Sequence, residues 1–130
     1  MRDKGNAMSR EGAVYQSLAS CGAALIAFIG FCHEFVGQVL FEWGPSLFGG
    51  TLGWHAAGLL FIAFGLLMLG GTLRLIKFPV VPLSVLMTAI GIAVGAFAAT
   101  VHHQFHLFAF ATAVAGIITA FCHRRAIARA

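Results

Sequence analysis

Charge is the first thing this sequence is short of. Eight basic and four acidic side chains in 130 residues leave it 9% charged, against about 25% in a typical soluble domain. The deficit excludes an ordinary water-soluble domain. With 60% of the residues hydrophobic and mean hydropathy +0.94, the solvent such a chain suits is a bilayer. Acids are scarcest of all: only Glu34 and Glu42 fall in or beside apolar runs, with no Glu-x-x-His pair, which excludes a diiron carboxylate centre. Three cysteines, Cys21, Cys32 and Cys122, have no CxxC spacing and read as small buried hydrophobes, not as a disulfide framework. There is no Ser-His-Asp order and no phosphate loop, so no motif names a reaction or makes the chain an enzyme.

What is present is four apolar runs. The spacing predicts spans over residues 17–41, 51–73, 80–101 and 106–123, each long enough or nearly so to cross about 30 Å of hydrocarbon at about 1.5 Å per residue. Residues 1–16 read as a polar leader ending in a short interfacial helix, with Met1 or Met8 as the start, and residues 124–130 as a basic tail. Gly44-Pro45-Ser46 opens a loop. Pro82 sits in the first turn of the third span, where an amide partner is missing anyway. The eight Lys and Arg residues all fall in the leader, the second loop and the tail, so the reading is an all-α integral membrane protein, a four-helix transmembrane bundle with both termini cytoplasmic. A bacterial inner (plasma) membrane is the expected location. The formal charge of +4 then serves orientation and contact with lipid headgroups, and nucleic acid is not a partner.

Each span carries small residues at helical spacing: Ala19, Gly22, Ile26, Gly30, His33 and Gly37 in the first, and Gly58 and Gly65 with His55 in the second. The third has Ser84, Thr88, Gly91, Gly95 and Ala98, and the fourth His106, Ala109, Ala113 and Gly116. In lipid, where burying oil against oil gives no net drive, small residues let helices approach closely, so these stripes are expected to face the bundle axis. The Phe-rich and Leu-rich faces are left for lipid or another protein.

The stretch that concentrates the chemistry is Phe31-Cys32-His33-Glu34, which puts an acid and an imidazole into an apolar run. An acid at the centre of a membrane helix costs about +2.5 to +3.5 kcal/mol, so it needs a partner or a purpose. If the first span continues to Phe41, then Glu34, Gln38 and Glu42 form one ladder, and His33 and Glu34 lie roughly 12 Å deeper than the outer mouth. His55, His102, His103 and His106 fall near that mouth, which gathers five of the six histidines and both acids in the outer half. His123, beside Arg124, belongs to the cytoplasmic side.

Three cofactors fit such a pocket. A transition metal, Zn or Cu, would take His55, His102 and His106 with Glu34 or Glu42. A haem b would need two histidines at equal depth, such as His55 with His102 or His106. A quinone would need a His donor, an acid and aromatic walls, for which Trp43, Trp54 and Phe105 are placed. The cofactor-binding set is thus His33, Glu34, His55, His102 and His106, in redox or metal handling. The alternative is a non-catalytic accessory or assembly subunit of a larger membrane complex, with the histidines as helix glue and the outward Phe residues packed on other subunits or on a second copy. The His102-His103-Gln104-Phe105-His106 run resembles a reversed fragment of the histidine boxes of membrane desaturases and hydroxylases, but those enzymes use more histidine ligands than the six this chain contains.

Overall fold

The computed structural model describes residues 9–129. Residues 1–8, with the choice between Met1 and Met8, and Ala130 lie outside the described residues. The described chain is all helical: α1 (Arg10–Phe35), α2 (Gly37–Leu40), α3 (Gly44–Leu47), α4 (Thr51–Thr72), α5 (Val80–Val101) and α6 (Leu107–Ala128). Of these, α1, α4, α5 and α6 are long and apolar enough to cross a membrane.

α4 and α5 fall within a residue of the expected spans. The other two are displaced, for local reasons. α1 starts at Arg10 because Ser9 caps it, its hydroxyl accepting from the Gly12 amide at 2.9 Å, while Glu11 places a carboxylate in the first turn. Most of residues 9–16, expected in the leader, are therefore helix. α1 then stops at Phe35, not Phe41, because Val36 leaves helical geometry at φ −127°, ψ −8°. This corrects the expected ladder: Glu34 sits in the last turn of α1, Gln38 in a separate short helix and Glu42 in an exposed turn, so the three do not share a face. The expected depth difference between Glu34 and His55 goes with it, since the two side chains touch. At the other end of the chain, α6 continues through the basic tail to Ala128.

The four long helices are antiparallel neighbours in the spatial order α4, α1, α6, α5. α1 packs along both α4 and α6, α6 packs along α5, and α4 and α5 meet only weakly. The small residues set these distances. A Cβ added to Gly65 would stand 2.7 Å from Ala27 Cα, one added to Gly30 2.8 Å from the Ile62 amide nitrogen, and one added to Gly91 2.7 Å from the Ala113 nitrogen. Such closeness is what association in lipid relies on. The middle of the bundle is filled by the fully buried Ala23, Ile26, Met68, Met87 and Ala115. Ser84, Thr112 and Thr119 are buried there as well, each hydroxyl donating to the carbonyl four residues earlier, which removes the cost of an unpaired donor. Outer faces carry Phe28, Phe31, Leu59, Leu66, Ile92 and Ile117, all exposed, a composition suited to contact with lipid. Of the cysteines only Cys122 is buried. Cys21 is on an outer face, against the expectation of burial for all three.

Both described ends of the chain lie at one end of the bundle. Ser9 donates its hydroxyl to the Arg129 carbonyl at 2.8 Å, and Arg129 pairs with Glu11 at 3.2 Å. This is the terminal end below; the opposite one, with α2, α3 and the α5/α6 turn, is the turn end.

Candidate functional site

The turn end is built on an interlock between α1 and α4. The His33 ring stacks on Trp54 with centroids 3.7 Å apart, its Nε2–H donates to the Trp54 carbonyl at 2.9 Å, and Trp54 Nε1–H donates back to the His33 carbonyl at 3.2 Å. The bond to the Trp54 carbonyl, which can only accept, fixes the His33 tautomer. Trp54 is fully buried because Gly37 and Gly44 leave room for its indole: a Cβ on either would overlap it.

Beside the interlock, Glu34 reaches across to α4. Its Oε2 meets His55 Nδ1 at 2.8 Å, and its Oε1 lies against Gly58, where a Cβ would collide with it. The carboxyl is largely covered, at 18% exposure, while the imidazole is 45% exposed. Among the described residues, Oε1 is the one buried side-chain oxygen or nitrogen without a hydrogen-bond partner.

A second histidine group stands on the other side of Trp43. That indole stacks on His102 at 4.3 Å and donates to Gln104 Oε1 at 2.6 Å, and the Gln104 amide donates to the Leu40 carbonyl at 3.1 Å, tying the α5/α6 turn to the end of α2 and to the turn that follows it. His106, just before α6, caps that helix by accepting from the Ala109 amide at 3.1 Å through Nδ1, and stacks on Phe41 at 3.9 Å. Burial holds its imidazole well below the ordinary histidine range, at about 4. A neutral ring whose Nδ1 accepts must carry its proton on Nε2, so His106 offers an N–H donor.

Between the two groups lies a cavity of about 60 Å³. Trp43, Trp54, Phe61, His33 and His106 line it, with Thr112 on the α6 side. Its walls come from α1, α3, α4, α5 and α6, and it sits where α4 and α5 touch least. The expected walls Trp43 and Trp54 are there. Phe105 is not: it is exposed and packs on Phe110 at 5.7 Å.

The candidate residues therefore fall into separate pairs. Glu34 joins His55, His33 joins Trp54, and His102 and His106 flank Trp43. Glu42 and His103 are exposed and join neither group. Among the described residues, no three His, Cys, Asp or Glu side chains come together as metal ligands, so the set His55, His102, His106 with Glu34 or Glu42 is not assembled in one place. Phe41, Phe61, Thr112 and Gln104 were not anticipated; a polar Gln104 inside the histidine run was the available signal. Comparison with family models, with curated proteins and with solved structures gave no match.

Proposed function

We propose that the protein is a small bacterial inner-membrane protein, both termini cytoplasmic, that binds a quinone-class ligand in the turn-end cavity and serves redox chemistry there. The observation that carries this reading is the cavity itself: an apolar chamber with two indoles and His106 in its wall, the last with its Nε2–H left as a donor for a ring carbonyl. Its position at the weak α4/α5 seam gives a lipid-soluble molecule a lateral way in. At about 60 Å³ it admits the edge of a single ring, and a whole head group enters by parting α4 from α5. When bound, a quinone supplies the electron chemistry; the chain's part is to stack the ring on Trp43 or Trp54 and to hold its carbonyl on His106. The cationic loop and tail support the orientation.

Both tryptophans of the chain line the cavity, so a quinone reports its own binding. Titrating purified protein with a short-chain quinone is expected to quench tryptophan emission saturably, and His106→Phe, which keeps an aromatic ring against Phe41 but removes the donor together with the α6 cap, is expected to weaken binding at least about 2- to 13-fold, the ~0.5–1.5 kcal/mol of one hydrogen bond. Quenching that never saturates, or that His106→Phe leaves unchanged, sinks the proposal. An absorption spectrum and metal analysis of the same sample test the haem b and Zn or Cu branches.

The accessory-subunit reading is favoured by one observation, the outward row Phe28, Phe31 and Phe35 on α1, with Phe31 and Phe35 stacked at 6.3 Å. Co-purification in mild detergent of a partner that a Phe31→Ala, Phe35→Ala chain loses is the result that reading requires.

A further inference from the structure

At the terminal end, away from the turn-end histidines, a groove of about 600 Å³ runs between α5 and α6. Val85, Thr88, Ile117 and Phe121 line its length, and Arg124 and Arg125 close one end. The groove is thus apolar along the helices and cationic where the helices leave the hydrocarbon.

Three features make that end suited to an anion. No carboxylate pairs with Arg124 or Arg125 among the described residues; the one ion pair nearby uses Arg129, which holds Glu11. Arg125 is also fixed in place, its guanidinium carbon 5.9 Å from the Tyr15 ring centre and 5.3 Å from that of Phe121, so its donors are oriented in advance. Finally, Val81, the second residue of α5, lines the same groove, and α5 begins after Pro79 with no side-chain cap. The positive end of a 22-residue helix therefore joins two guanidinium groups at one mouth.

We propose that this groove holds an anionic phospholipid, with one acyl chain laid along Val85, Ile117 and Phe121 and the phosphate on Arg124 and Arg125. The pairing is one of charge and of shape: an apolar trough ending in two cations that no carboxylate among the described residues pairs complements an amphiphile whose negative group sits at the hydrocarbon boundary. An apolar protein helix would fill the trough but supply no anion to the two arginines. The site is independent of the turn-end cavity and of whatever binds there.

The test is native mass spectrometry of the purified full-length protein, titrated with phosphatidylglycerol or with phosphatidylcholine of the same chains. Wild type is expected to retain phosphatidylglycerol preferentially. R124Q/R125Q is expected to lose that preference by roughly 25-fold, about fivefold for each arginine at a membrane surface. R74Q/K77Q, which removes two exposed cations from the α4/α5 loop, is expected to keep it. V85W fills the trough from an outward position with both arginines intact, and is expected to lower retention of either lipid; it decides the matter should the arginine variant fail to fold. Preference that survives R124Q/R125Q, or that R74Q/K77Q abolishes equally, overturns the proposal. So does displacement of the lipid by millimolar inorganic phosphate, which would mark a phosphate site.

Discussion

Replacing Gly65 with alanine tests whether close backbone approach holds this bundle together. The new methyl carbon would stand 2.7 Å from the Cα and Cβ of Ala27 and closer still to its amide nitrogen. Carbon atoms rest at about 3.5–4.0 Å, so α1 and α4 must separate locally by about 1 Å, enough to forfeit a good part of the dispersion across their contact. Overpacking of this kind costs about 1–3 kcal/mol. Alanine also removes a helical glycine, a gain of up to about 1 kcal/mol that would blur the result on its own. Gly95→Ala supplies the reference: its Cβ meets nothing nearer than Ala109 Cβ at 3.6 Å, an ordinary contact, and it collects the same propensity gain. The difference between the two variants is then the packing term itself. Unfolding in mixed micelles by increasing SDS fraction, followed by circular dichroism, is expected to place Gly65→Ala below Gly95→Ala by about 1–3 kcal/mol. Gly91→Ala, facing Ala113 at 2.7 Å on the α5/α6 side, is expected to resemble Gly65→Ala. Equal stability of all three would refute the reasoning.

Two further outcomes follow from the polar groups at the turn end. His55→Ala strips the Glu34 carboxyl of its one partner and is expected to cost about 1–3 kcal/mol, while adding Glu34→Leu should recover much of that loss, because removing both members leaves nothing unsatisfied; additive losses in the double variant on SDS unfolding would contradict it. For His106, burial lowers the folded-state value to about 4, below that of the unfolded chain, so the unfolded state takes up the proton first as pH falls. Stability is expected to be full above pH 6.5 and to decline between there and about 4, and His106→Asn, which can still cap α6, should flatten that decline; an unchanged pH profile in the variant would assign it elsewhere.

Much of the architecture was legible in composition and spacing. The glycine and alanine stripes turned inward because in lipid the sole route to a tight contact is to omit side chains, and that leaves a periodic mark: Gly22, Gly30, Gly58, Gly65, Gly91 and Gly116 are all buried. The end of α1 was not legible. Apart from Gln38 the residues from Phe35 to Phe41 carry no polar side chain and no proline, and the break at Val36 arises from what packs there: the Trp54 indole fills the space against Gly37, and Phe41 turns in to stack beneath His106. Hydropathy reports the solvent of a segment, not the partner that bends it. The histidines suffered the same limit. Nearness to one mouth was visible in the chain, but whether imidazoles meet one another or spend their nitrogens on Trp54, Glu34 and the Ala109 amide is decided by side-chain geometry.

The placing of α1 between α4 and α6 bears on how the molecule is made. Of the four long helices the earliest made is the one that needs the latest, so until α6 has been made, α1 waits with half of its contact face empty, and α5 arrives with almost nothing to lean on. Shortened products that lack α6, and with it one wall of the cavity, are accordingly expected to look orphaned to the cell's membrane proteases.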